Sequence, residues 1–355
     1  MARIAVDANP ATREFVTGTE VYTRELCARL HTAAPDLEWV FYASRPATGL
    51  RFDVTVIPFS RLWSQARLPV ALAAARPDLL FVPAHSIPFA WPGHVLTVVH
   101  DLAFERHPDA YSVRERTLLQ ATTRWAVARC RLLIAVSEAT KQDLVSLYGA
   151  SADRVRVVHN GGGEGAHVKP APASRLRELG VEGDFVLQVG RIEPRKNQAA
   201  ALAAVERLDH MQLVVAGAVR DVELAAALRA SPRCRVVGTV DQPALELLYR
   251  QARAVVVPSR YEGFGFPVLE GMARGKAVVA ARNSSLPEIG GDGVLYAGDT
   301  SDAAAFAAVL RQAVADTPER NALLRRAKAQ AARFTWERCA EGVVEVIREL
   351  VSRDH

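Results

Sequence analysis

A chain of 355 residues, half of them hydrophobic and 23% charged, is too long for one ordinary core and suits two soluble domains of about 150–180 residues each. The formal charge of +5 favours anionic ligands or surfaces, and phosphates, acidic lipids and nucleic acid all qualify. No run approaches the ~18–20 consecutive apolar residues that cross a bilayer, and Met1–Val6 meets Asp7 too soon to form the apolar stretch of a secretory signal. A cytoplasmic protein is therefore expected. Cys27, Cys130, Cys234 and Cys339 lie far apart in helical or buried-looking segments, which predicts reduced, buried thiols.

Predicted strands in the first half are Arg3–Val6, Trp39–Tyr42, Val54–Ile57, Leu79–Val82, Val95–Val99, Leu132–Val136 and Val155–Val158. The second half has Phe185–Val189, Gln212–Ala216, Arg235–Val237, Ala254–Val257 and Ala277–Ala280. Most are short β-branched runs without alternation, the pattern of parallel strands covered on both faces. Helices are predicted at Thr19–Thr32, Val113–Ala128, Glu138–Tyr148, Gln198–Leu208, Leu245–Gln251 and Ala303–Ala315, with an amphipathic stretch at Trp336–Ser352. This β-α rhythm implies an α/β protein with two doubly wound, Rossmann-like sheets. The rhythm breaks at Asn160-Gly161-Gly162-Gly163-Glu164-Gly165, where four glycines in six residues read as an interdomain hinge. The expected domains are 1–163 and 164–335.

The segment Pro258–Glu270 carries the most chemistry. An apolar strand ends in a loop with Gly263 and Gly265, and Pro267 suits the first turn of a helix that follows. Such a helix start points backbone N–H groups and a positive dipole end at its ligand, which suits phosphate. Glu262 and Glu270 bracket it, and each carboxylate can accept from vicinal hydroxyls. Ribose, diphosphate and hexose follow one another in the same way in a nucleotide-sugar. A second segment, Gly190-Arg191-Ile192-Glu193-Pro194-Arg195-Lys196-Asn197, follows a strand directly. Arg191 can fork onto phosphate oxygens and Lys196 can add a point charge, neutralising a departing diphosphate. On bland readings, the second segment is a solvated basic turn, Glu262 a loop residue and Glu270 a partner of the helix dipole.

Taken together, these segments resemble the retaining glycosyltransferases of family 4, with their GT-B fold and Glu-x7-Glu signature. Further motifs carry the resemblance across nearly the whole chain: Thr17-Gly18-Thr19-Glu20, Val98-Val99-His100-Asp101-Leu102, Ala135-Val136-Ser137-Glu138, Arg156–Gly161 and Asn283–Glu288. The chain departs from the family pattern after Asn160-Gly161, where it has Gly162-Gly163-Glu164, and at Thr17, where relatives carry a further glycine.

The resemblance implies two Rossmann-like domains facing each other across a cleft, with the last helix, 336–355, returning to the N-terminal domain. It implies that Glu270 holds the donor ribose and that Glu262, Gly263, Phe264 and Gly265 hold the donor sugar. Gly190, Arg191 and Lys196, helped by the Gly18 backbone, would grip the diphosphate, and Thr239 and Val240 would lie against the base. His100 would meet the sugar, with Asp101 and Ser137 beside it on the acceptor side. Neither a metal nor another cofactor is implied.

The His100-Asp101 and Gly-Phe-Gly-Phe-Pro patterns resemble mannosyltransferases, favouring mannose from GDP-mannose, and a glycan, lipid-linked or small-molecule acceptor. A sugar-nucleotide epimerase and a non-catalytic nucleotide-sugar sensor are the alternatives. His85 is read either as an acceptor-side residue or as a structural histidine. Arg61, Arg67 and Arg76, with Arg114, Arg116, Arg124, Arg129 and Arg131, allow peripheral contact with an anionic membrane; no motif supports nucleic-acid binding.

Overall fold

The computed structural model describes residues 1–13, 18–58, 63–165 and 168–352. Thr17 of the N-terminal motif, and Arg61 and Leu62 of the basic segment, fall outside them. The chain divides into two compact units, Met1–Gly161 with Thr335–His355, and Gly162–Phe334.

Seven parallel strands build the first unit: β1 (Arg3–Asp7), β2 (Glu38–Ala43), β3 (Thr55–Val56), β4 (Leu79–Val82), β5 (Val95–Val99), β6 (Leu133–Ala135) and β7 (Val155–Val157). Their order is β3-β2-β1-β4-β5-β6-β7. The central strands β4 and β5 are buried at every position, because helices cover both faces of the sheet. The C-terminal helix Trp336–Val351 completes this unit. It buries Trp336, Cys339, Ala340, Val343, Ile347 and Leu350, a stripe at helical spacing. Packing against the helix Gly18–Ala33 is fixed by the Tyr22–Trp336 edge contact and by Arg29 Nε–Glu337 Oε1 at 2.7 Å.

Six parallel strands build the second unit: β8 (Asp184–Val189), β9 (Met211–Ala216), β10 (Cys234–Gly238), β11 (Ala254–Val257), β12 (Ala277–Ala281) and β13 (Leu295–Ala297). The order β10-β9-β8-β11-β12-β13 reverses direction between β8 and β11, and ligands of open α/β sheets bind beyond the carboxyl ends of strands at such a point. The Gly190–Asn197 segment follows β8, and the Pro258–Gly265 loop follows β11. Topology alone therefore puts the two chemistry-bearing segments side by side.

The predicted elements are present, with ends shifted by a few residues. Additional elements include β13 and the helices Val222–Ala230 and Pro318–Ala331, the second too polar to carry a clear apolar stripe. All four cysteines are buried and unbridged. In the basic segment, Leu68 and Leu72 are buried while Val70 is exposed, the pattern of a helix with an ordinary core face.

The glycine run has a packing role that composition did not reveal. A Cβ on Gly161 would lie 2.3 Å from the Trp336 backbone nitrogen, and one on Gly163 would lie 1.8 Å from the Ala331 carbonyl oxygen. These residues are glycine because backbone passes against backbone, and Gly163 N also donates to Phe334 O at 2.8 Å.

Candidate functional site

The second unit's site starts from a tight turn. After β8, residues Pro194–Lys196 form one 3₁₀ turn, and Asn197 takes the left-handed conformation at φ 56°, which asparagine tolerates better than most residues. Its side-chain amide donates to Pro258 O at 3.2 Å, tying this turn to the loop after β11. Arg195 and Lys196 both meet Glu262 there. Lys196 Nζ lies 2.6 Å from Glu262 Oε1, Arg195 Nη1 lies 3.4 Å from Oε2, and Ser259 Oγ donates to Oε1 at 2.7 Å. Arg195 itself is only 5% exposed; it reaches Glu193 at 2.7 Å and donates to Tyr261 O at 2.8 Å.

Burial alone would raise the Glu262 carboxyl. The Lys196 and Arg195 cations, with hydrogen bonds from Lys196 and Ser259, outweigh it and hold the group at about 2. Glu262 is thus a fixed anion at any working pH. Lys196 spends one of its three N–H donors on it and keeps its charge beside the loop.

The loop is held from the other side by Asn283, Ser284 and Ser285. Ser284 Oγ accepts from Glu262 N at 2.9 Å, Ser285 Oγ lies 2.9 Å from both Glu262 O and Phe264 O, and Asn283 Nδ2 donates to Ser259 O at 3.1 Å. Gly265 then adopts φ 102°, a conformation L side chains avoid, and turns the chain into the helix Phe266–Ala273. Among the described residues no side chain caps this helix start, and Pro267 occupies its first turn. Phe264 is buried against Phe266 and Phe334, so its ring is a structural anchor of the loop.

Arg191 stands where β8 ends, 42% exposed in its side chain, with Nε 3.9 Å from Glu193 Oε2. Glu270 sits in a separate network on the helix, accepting from Tyr249 Oη at 2.5 Å on Oε2. Burial is the largest influence on it and raises its carboxyl, opposed by Tyr249 and Arg274. Thr239, exposed, and Val240, partly buried, follow β10 and precede Asp241, which caps the helix Gln242–Gln251.

In the first unit, His100 follows β5. Its Nε2 is 2.8 Å from Pro83 O, and a carbonyl can only accept, so Nε2 carries the proton and Nδ1 holds the lone pair. Burial pushes the ring down from the ordinary histidine value, against the Pro83 hydrogen bond and the Asp101 and Glu20 charges. A neutral imidazole with Nδ1 as acceptor results. Its edge packs on Tyr22 with ring centroids 4.8 Å apart.

Across residues 16–161 the chain matches Glycosyltransferase Family 4, and across residues 177–330 it matches Glycosyl transferases group 1. It is 30% identical over 270 residues to O-antigen chain mannosyltransferase B of Escherichia coli, covering 72% of this chain and 70% of that one. The chain belongs to glycosyltransferase family 4. A D-inositol 3-phosphate glycosyltransferase of Xylanimonas cellulosilytica is 34% identical over 247 residues, 64% of this chain; the match spans 59% of that relative, less than two thirds of its length. The crystal structure of Anabaena HepE in complex with UDP and glucose superposes with a TM-score of 0.74 at 19% identity, covering 98% of this chain and all of that one. Two Rossmann-like units of the GT-B type are the shared fold.

Within this family 4 glycosyltransferase, the structure brings together Gly190, Arg191, Lys196 and Glu262 at the β8–β11 switch and keeps Glu270 in its own network. Gly18 is exposed and opens the helix Gly18–Ala33. Two residues of the acceptor-side expectation make structural contacts within the first unit. Ser137 is fully buried and caps the helix Glu138–Tyr148 by accepting from Thr140 N at 3.1 Å. His85 is held through Nε2 against the Thr123 hydroxyl, and burial pushes its ring down to about 4. Asp101 Oδ1 accepts from Ala103 N at 3.0 Å, shaping the turn after His100.

Arg195, Tyr249, Ser259 and Ser284 were not singled out by sequence reasoning. For Arg195 the available signal was its place in an Arg-Lys pair on a turn after a parallel strand. Among the described residues, no group of three or more His, Cys, Asp or Glu side chains is arranged to hold a metal ion, and no helix is long and apolar enough to cross a membrane.

Proposed function

We propose that this glycosyltransferase moves mannose from GDP-mannose, with retention of anomeric configuration, onto a hydroxyl of a glycan, lipid-linked or small-molecule acceptor. The observation that carries the donor reading is the Lys196–Glu262 contact of 2.6 Å in the loop that leads into the helix Phe266–Ala273, a cation and a positive helix end that suit a diphosphate. The mannose reading draws on the mannosyltransferase relative. HepE, whose structure holds UDP and glucose, supports a nucleotide-sugar donor in general and speaks for uridine and glucose instead.

In the reaction, the bond from the sugar's anomeric carbon to the diphosphate oxygen breaks, and a bond to the acceptor oxygen forms on the same face. The acceptor proton passes to the departing phosphate oxygen, and the nucleoside diphosphate leaves. The protein's work is positioning and charge stabilisation. Lys196 and Arg191 balance the growing charge on the diphosphate, and Glu270 holds the ribose. Glu262, already paired with two cations, orients Lys196 and offers its remaining lone pair to a sugar hydroxyl. His100, neutral with Nδ1 as acceptor, takes a sugar hydroxyl as hydrogen-bond partner and not as a base. The reaction needs no metal or other cofactor in this reading, and the protein works in the cytoplasm.

Incubation with GDP-mannose and, separately, UDP-glucose over an acceptor panel tests the proposal. Acceptor-dependent release of GDP and an α-linked product by NMR are expected. Turnover of UDP-glucose alone refutes the guanine and mannose assignment, and an inverted linkage refutes retention.

A further inference from the structure

Behind Glu270 stands a buried polar network. Tyr249, fully buried on the helix Gln242–Gln251, donates its hydroxyl to Glu270 Oε2 at 2.5 Å. The Arg274 guanidinium lies over the Tyr249 ring, 4.5 Å from its centroid, donates to the Glu270 carbonyl oxygen at 3.0 Å and meets Glu246 Oε2 at 2.7 Å. Glu246, 3% exposed, also holds Arg250 at 2.8 Å. Sequence spacing makes this possible: Glu246 and Tyr249 are three apart on one helix, and Arg274, the C-cap of the helix Phe266–Ala273, follows Glu270 by four residues.

A buried phenol that only filled space would not need its hydroxyl, yet this one is spent on a single carboxylate oxygen. Among the described residues Oε1 of the same carboxylate has no hydrogen-bond partner. We infer that Tyr249 is a positioning residue of the donor site: its hydroxyl fixes one oxygen of Glu270 so that the other is left for the hydroxyls of the nucleotide's ribose. This inference rests on the assignment of Glu270 to the donor ribose. The ring is held in turn by Arg274, so the hydroxyl is not free to swing away.

Protonation follows from the same contacts. The charged and titratable groups around Glu270 are Tyr249, Arg274 and Glu246, with Arg250 bound to Glu246. Burial raises the Glu270 carboxyl, while the Tyr249 hydroxyl and Arg274 lower it, with Glu246 acting the other way. The anion is the form that accepts from two hydroxyls, so losing the phenol hydroxyl moves protonation of Glu270 to higher pH and weakens donor binding there first.

The test is calorimetric titration of GDP-mannose, with UDP-glucose in parallel, into wild type, Tyr249→Phe, Glu270→Ala and the double variant between about pH 5 and 8, above the ordinary glutamate value from which burial raises Glu270. For whichever donor binds, Tyr249→Phe is expected to raise the Kd about tenfold. It is also expected to shift the acidic limb of the binding profile upward and to add nothing, within about twofold, in the Glu270→Ala background. An unchanged Kd and limb in Tyr249→Phe, or a loss that persists undiminished without the Glu270 carboxylate, overturns the inference. Arg274→Lys provides a second variant should Tyr249→Phe fail to fold: loosening the ring's support is expected to shift the limb in the same direction, and an unmoved limb overturns the inference. If Glu270→Ala binds donor like wild type, or wild type binds neither donor, the ribose assignment falls and this inference with it. If Glu270→Ala weakens binding while Tyr249→Phe does not, the ribose assignment stands and only the inference falls.

Discussion

Replacing Lys196 by Ala is expected to lower turnover by about 10²–10³, the effect of one lost charge-stabilising group at a leaving diphosphate. Lys196 Nζ is 2.6 Å from Glu262, which fixes the ammonium while leaving it two donors. Its charge is therefore already in place before a diphosphate leaves, with little reorganisation during reaction. The variant keeps Glu262 anchored through Arg195 and Ser259, so the fold is expected to survive. Initial-rate measurement of nucleoside diphosphate release at saturating donor reads the effect. A rate within about threefold of wild type would remove Lys196 from the chemistry.

Arg195→Met is expected to act on stability. Arg195 touches Glu193 at 2.7 Å, Glu262 at 3.4 Å and the Tyr261 carbonyl at 2.8 Å, all in buried surroundings. Removing one member of such a group leaves buried charge uncompensated and costs about 3–5 kcal/mol. For a unit of this size that corresponds to a fall of roughly 10 °C in melting temperature. The effect also has a pH signature. Glu262 is held at about 2 in the folded protein, below its ordinary value of 4.5, so its contribution to stability is complete above about 4.5 and is lost as pH falls toward 2. Without Arg195 the carboxyl sits higher. The gap between variant and wild type is therefore expected to narrow as pH drops below about 4.5 in thermal melts. A variant that melts with wild type at pH 7 would mean that Lys196 and Ser259 suffice.

Much of this architecture was legible in the residues. β-branched runs such as Val95–Val99 and Ala254–Val257 are strands over their whole predicted length, because a strand buried on both faces tolerates little else. The switch-point segments were legible too, since glycine, proline and charge cluster where an apolar strand ends. β13 was not, because three residues among glycines carry too little periodicity. Arg195 was missed for a geometric reason. Two adjacent basic residues look alike in sequence, and only the turn ending in left-handed Asn197 reveals that Arg195 is buried between two acids. Tyr249 reads as part of the apolar face Ala244, Leu247 and Leu248, and its hydroxyl's partner lies 21 residues away. Ser137 carried a second signal: a serine before a helix is a natural cap, and here it is one.

A co-crystal structure with GDP-mannose tests the donor grip most directly. Diphosphate oxygens are expected within hydrogen-bonding distance, about 2.7–3.2 Å, of Lys196 Nζ and of the helix start at Gly265–Phe266, with the ribose hydroxyls on Glu270. A nucleotide bound away from the carboxyl ends of β8 and β11, with the Lys196–Glu262 contact intact and Glu270 touching no ligand, would contradict the account.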